Sequence, residues 1–127
     1  MSDRFVVDEG DEMDRKYHQI ADDLRTPARE LRDQIPDVFT GYAQLHSAAT
    51  KDGAISQKTK ELIAIAISVV TKCDGCITAH ARAAALQGAT KQEVAEAIGV
   101  AIMLSGGPGT VYGPRAYEAF LEYSGQA

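Results

Sequence analysis

The chain has no tryptophan, four prolines and only two cysteines in 127 residues, and aromatic residues make up 6% of it. Two cysteines cannot build the multi-bridge framework that holds small secreted domains together, so stability has to come from aliphatic packing. Basic residues are in deficit as well: 13 Lys and Arg stand against 18 Asp and Glu, a formal net charge of −5. Nucleic acid and anionic membrane surfaces both call for clustered Lys or Arg, so neither is expected as a partner. Long apolar runs are missing too. The longest, residues 62–70, is about half of what a membrane span needs. The opening MSDRFVVDEGDEMDRK lacks the basic-then-apolar order of a secretory signal. What remains is a cytoplasmic chain of a length that suits one domain with one core.

What is present reads as helices. Residues 1–12 are acidic and aperiodic, and are expected to be a mobile arm ahead of a single domain at 13–127. Met13, Tyr17, Ile20 and Leu24 recur at helical spacing until Thr26-Pro27, which is expected to interrupt the helix and start another short turn. Pro36 opens a stretch carrying Val38, Phe39, Tyr42 and Leu45, and Asp52-Gly53 closes it. The segment ELIAIAISVV is ambiguous, since β-branched residues at 63, 65, 67 and 69 alternate with small ones as in a strand. Ser56 followed by good helix formers argues for helix. No second strand is available, and a lone buried strand would leave its backbone polar groups unpaired. A helix is therefore expected over 57–71, followed by an Ala-rich helix over 74–87 that ends at Gly88. Thr90-Lys-Gln-Glu93 is a capping box opening an apolar helix through Leu104. A break at Ser105-Gly-Gly-Pro-Gly109 then precedes a last helix with Tyr117, Phe120, Leu121 and Tyr123.

The helices at 62–70 and 94–104 are apolar almost all round. One small core cannot easily cover both, so the surplus predicts a subunit interface, with Gly99 admitting a close helix neighbour.

Both cysteines fall in KCDGCITAH, residues 72–80. As a staple, a Cys73–Cys76 bridge closes a loop of about four residues, for which loop entropy contributes only roughly 2 kcal/mol. A metal clip would use Cys73, Cys76 and His80, but a closed zinc site needs a fourth ligand, and only His18 and His46 remain, in other helices. A redox centre needs a thiolate, a second thiol and a proton relay, and each is on offer. Asp74 can cap the helix, placing both cysteines at its N-terminus, where the dipole favours negative charge. An ordinary thiol of pKa about 8.5 is a few per cent ionised at pH 7, and one lowered to about 7 is about half ionised. His80 lies one turn beyond Cys76 on the same face. If helices 57–71 and 74–87 form an antiparallel hairpin, Glu61 comes level with His80, where it orients the ring or passes its proton. Its alternative role is a surface pair with Lys58 or Lys60.

Glu61, eleven residues, then Cys73-x-x-Cys76-x-x-x-His80 resembles the motif of the alkylhydroperoxidase D (AhpD-like)/carboxymuconolactone decarboxylase family. The likeness runs over residues 36–113 and includes the capping-box helix and the Gly-rich break. The resemblance implies an all-α fold with subunits packed into a homo-oligomer, a trimer or hexamer, this chain length resembling the hexameric type. It implies a peroxidase in which Cys76 attacks an organic hydroperoxide and becomes a sulfenic acid. Cys73 condenses with it to a disulfide, and His80 and Glu61 form the proton relay. No cofactor and no resident metal are called for, and the partners are a small hydroperoxide and a thiol or dithiol reductant. The family's best-studied peroxidases carry another histidine between the cysteines, where this chain has Gly75. That departure leaves room for a general thiol–disulfide oxidoreductase or a redox-sensing subunit. The decarboxylase members generally lack the cysteine pair, so lyase chemistry is the weaker implication.

Three further expectations concern the surroundings. SGGPGTVYG, residues 105–113, lacks the Lys-Ser/Thr of a phosphate-binding loop and reads as a turn permitting close packing. Tyr112 is expected either above the cysteines or in the core, and Arg82 and Arg115 as interface or surface charges. Ile77, Val70 and Met103 are expected to form aliphatic walls near the thiols.

Overall fold

The computed structural model describes residues 15–126. The acidic arm expected at 1–12, and Met13, lie outside the described residues. Within them the chain forms six α-helices and no strand. These are α1 (Lys16–Gln34), α2 (Pro36–Thr50), α3 (Gln57–Val70), α4 (Asp74–Leu86), α5 (Lys91–Ser105) and α6 (Gly107–Ser124). The core lies between α3, α4, α5 and α6, where Ile65, Ile77, Ala81, Ala84, Val94, Ala116, Ala119 and Phe120 are all fully buried.

Burial resolves the ambiguity in ELIAIAISVV. Of the alternating β-branched residues, Ile65 and Val69 are buried while Ile63 and Ile67 are exposed. That is a period of four, not two, as a helix with one buried face requires. Glu61 and Ser68 complete the face. Ser56 caps α3 by accepting from the Thr59 backbone N–H at 3.2 Å, and the Asp52 carboxylate accepts from Gln57 N at 2.7 Å. At α5 the capping box closes in both directions between Thr90 and Glu93. The Thr90 backbone N–H, and then the Lys58 ammonium, hold the Glu93 carboxyl below its ordinary range.

Two sequence expectations are corrected. Pro27 does not interrupt the first helix, which continues from Lys16 to Gln34. The carbonyl that Pro27 deprives of a partner belongs to Asp23, which is exposed, so water can satisfy it. The Gly-rich break spans one residue, not five. Gly106 alone leaves helical geometry, at φ 65 and ψ −135, and Pro108 already lies in the first turn of α6. The neighbouring glycines serve packing instead. A Cβ on Gly109 would collide with Ser105 Oγ and lie 2.9 Å from Ile102 Cα, and one on Gly113 would lie 2.8 Å from Ile98 Cγ2. Gly99, by contrast, has nothing from its own chain within 4 Å of an added Cβ.

α1 is anchored by polar contacts at its start. No side chain of its own caps it. The buried Glu122 carboxylate of α6 accepts instead from the backbone N–H groups of Tyr17 (3.1 Å) and His18 (2.8 Å), an anion placed at a helix N-terminus. His18 Nδ1 meets the same carboxylate at 2.5 Å. Thr78 of α4 donates to Tyr17 O at 2.8 Å, and Tyr17 OH donates to Glu118 at 3.1 Å. Burial, and then Glu118, push the Tyr17 phenol upward.

α2 is the exception. It buries no residue at all, and Val38, Tyr42 and Leu45 are each more than 60% exposed. An entirely apolar groove of about 450 Å³ also opens between α3 and α5, lined by Ile63, Ile67, Val70, Val100 and Leu104 among others. Among the described residues, no helix is long and apolar enough to cross a membrane.

Candidate active site

α3 and α4 form a hairpin whose turn brings the chemistry together. The chain reverses at Lys72, which takes a left-handed conformation at φ 56. Lys72 N–H donates to Val69 O at 3.2 Å and Cys73 N–H to Ser68 O at 3.1 Å, the paired bonds of a Schellman ending. Cys73 then serves as the N-cap of α4, its Sγ accepting from the Cys76 backbone N–H at 3.2 Å. Asp74 is not the cap, as the sequence suggested, but the first helical residue. Its carboxylate lies 3.7 Å from the Arg115 guanidinium.

Cys73 and Cys76 are joined as a disulfide with Cα atoms 5.2 Å apart, inside the usual range for such bonds. Both are half-buried. One turn beyond Cys76, His80 Nδ1 lies 2.7 Å from Glu61 Oε2. Glu61 is 1% exposed and faces the helix that carries the cysteines rather than pairing with Lys58, which reaches Glu93 instead. A carboxylate partner requires the proton on Nδ1, which leaves Nε2 as the basic nitrogen.

Sequence reasoning missed two contributors. His46, on α2, stacks against His80 with ring centroids 6.3 Å apart and planes 20° apart. It lies 34 residues from His80 on a helix with no other mark of function, so no local spacing signals it. Arg115, expected as a surface or interface charge, lies over the Tyr112 ring at 4.8 Å from its centroid and reaches the start of α4. Tyr112 itself is half-buried against the core. Arg82 is exposed, as expected. The third histidine, His18, is committed to Glu122.

Other expectations about the surroundings change. Ile77 belongs to the buried core, whereas Met103 is 73% exposed and Val70 faces the α3–α5 groove. Gly75 points toward α1, where an added Cβ would lie 3.4 Å from Leu24 Cδ1. Among the described residues, no three His, Cys, Asp or Glu side chains converge as metal ligands.

With this geometry in place, the class is defined: residues 36–123 match the Carboxymuconolactone decarboxylase family, and the chain belongs to it. A carboxymuconolactone decarboxylase family protein from Legionella pneumophila, solved in its apo form, is 42% identical with a TM-score of 0.84, covering 87% of this chain and 98% of that one. An uncharacterized protein of Cupriavidus necator is 33% identical over 105 residues, 77% of this chain and 93% of the relative. The uncharacterized protein 4 in the cox locus of Paracoccus denitrificans is 35% identical over 91 residues, 72% and 79% of the two chains.

Proposed function

We propose that this chain is a cysteine-dependent peroxidase of the alkylhydroperoxidase type, reducing small organic hydroperoxides through the Cys73–Cys76 couple. The observation that carries the reading is a half-buried disulfide at a helix N-terminus with a Glu61–His80 pair one turn away. His80 Nε2 takes the proton from the Cys76 thiol. The thiolate attacks the peroxide's terminal oxygen, the O–O bond breaks, and the departing alkoxide receives the proton. Cys76 is then a sulfenic acid. Cys73 displaces its hydroxyl as water and forms the disulfide.

A thiol reductant closes the cycle by attacking Cys76. Cys73 leaves as a thiolate that the Cys76 N–H and the helix dipole stabilise. The reductant's second thiol then releases Cys76, so two electrons enter for each peroxide reduced. The capping role of the Cys73 sulfur also favours a second reading, a general thiol–disulfide oxidoreductase that uses the same half-cycle. The protein works in the cytoplasm as a homo-oligomer, trimer or hexamer, in which a second copy covers the exposed stripe of α2 and the α3–α5 groove.

The test is stopped-flow reaction of the reduced protein with stoichiometric cumene hydroperoxide, with mass spectrometry of the product. Disulfide is expected from the parent chain, sulfenic acid from Cys73→Ser, and no peroxide consumption from Cys76→Ser. Lyase turnover of a carboxymuconolactone that persists in Cys76→Ser would replace the peroxidase reading. Exchange with small disulfides but no reaction with peroxide would favour the oxidoreductase.

A further inference from the structure

His80 has its Nδ1 held by a buried carboxylate and is itself only 22% exposed. A proton taken at its other nitrogen needs a way to and from solvent. His46 stands where that exchange would occur. Its presence is not explained by packing, because α2 buries none of its residues. The half-buried positions on that helix are Phe39 and Thr50. Counting from Phe39, His46 follows by seven residues and Thr50 by another four, so the three share one face. That face turns toward the body of the chain; Val38 and Leu45 lie off it, and the exposed Tyr42 sits at its edge. His46 is nevertheless exposed to solvent while its ring stacks near-parallel to that of His80. Of three histidines 18, 46 and 80, two therefore meet at the candidate site from helices distant in sequence.

We propose that His46 is the outer member of a relay Glu61–His80–His46, exchanging protons between His80 and solvent. Centroids 6.3 Å apart are too far for a direct hydrogen bond between the rings and within reach of one bridging water. Glu61 fixes the tautomer, His80 faces the thiol, and His46 acts through His80. The proton that leaves the Cys76 thiol is stored on the pair and returned to the departing alkoxide, or released to water when no peroxide is present. This assignment rests on the peroxidase reading for its role in turnover, but thiol ionisation itself can be followed without peroxide.

Two assays separate the claims. In the first, reduced parent, His46→Ala and His46→Gln chains meet stoichiometric cumene hydroperoxide. In the second, each substitution is placed in a Cys73→Ser background, and alkylation of the lone Cys76 by iodoacetamide is timed. Both substitutions are expected to slow both reactions about tenfold, less than a first-contact acid–base group contributes, and millimolar imidazole is expected to restore His46→Ala. Because α2 has no buried residue, thermal unfolding should stay at the parent midpoint. Parent-like rates in both variants overturn the proposal. So does a slowed His46→Ala that imidazole leaves slow, since the ring then only holds a position. If the parent does not consume peroxide, the peroxidase reading fails while the alkylation arm still decides for or against His46.

Discussion

Two connections flank α4, and they make the same turn out of different residues. After α4, Ala89 N–H donates to Ala84 O and Gly88 N–H to Ala85 O. Gly88 takes the left-handed position at φ 77, and the next helix opens on the Thr90–Glu93 capping box. Before α4, the same two bonds close around Lys72 at φ 56, and the next helix opens on a cysteine sulfur. One connection follows each local preference: glycine where φ is positive, a hydroxyl at the N-cap, Glu three residues on. The other departs from two of them in succession. A side chain in the left-handed region costs roughly 1–2 kcal/mol, and sulfur is a weaker acceptor than a hydroxyl. The departures fall on the two residues that introduce the CxxC. Buried Ser68, Val69 and Ile77 on either side hold this turn in place where its own residues do not favour it. Local rules yield where a chemical site needs the position.

The comparison can be broken from the compliant side first. Gly88→Ala is expected to lower stability by about 1 kcal/mol, read as a shift in the urea midpoint at constant slope. Nothing lies within 4 Å of the added Cβ, so the change is roughly 1–2 kcal/mol of left-handed strain less roughly 0.5–1 kcal/mol of unfolded-chain entropy that the glycine no longer carries. An unchanged midpoint would mean that the turn relaxes and that glycine was not required. Thr90→Ala should cost about 1 kcal/mol by uncapping α5, measured in the same way. A loss much below this would make the capping box redundant with packing at Val94.

The site-side connection responds with the opposite sign and the smallest size. Lys72→Gly relieves roughly 1–2 kcal/mol of left-handed strain but adds roughly 0.5–1 kcal/mol of unfolded-chain entropy, a net gain of about 0.5 kcal/mol. Unfolding of the oxidised protein should show it. A destabilised Lys72→Gly would mean that the lysine side chain itself contributes, and the contrast between the two turns would lose its explanation.

Much of the fold was legible because the signals are local. Pro36 opens α2, Ser56 and Thr90 cap α3 and α5, and Gly88 follows α4 at the position its conformation demands. Pro27 misled because breaking a helix requires more than losing one backbone donor when the orphaned carbonyl faces water. The Gly-rich segment misled because glycine signals both turns and close approach, and only the position of Ile98 and Ile102 tells which is meant. Asp74 is a good capping residue by type, yet the cap falls one position earlier, where the reversal at Lys72 sets the dihedrals of Cys73.

By itself the sequence determined what runs along single helices: the Cys76–His80 register, the capped starts, and the surplus of apolar surface on residues 62–70 and 94–104. Those follow from 3.6 residues per turn and from the chemistry of each side chain. Only the tertiary structure decided what meets between helices. Glu61 reaches His80 because α3 and α4 reverse tightly at Lys72. His46 stacks against His80 from α2, a helix that buries none of its own residues. Contacts between helices depend on where each axis passes, which no periodicity within one helix specifies.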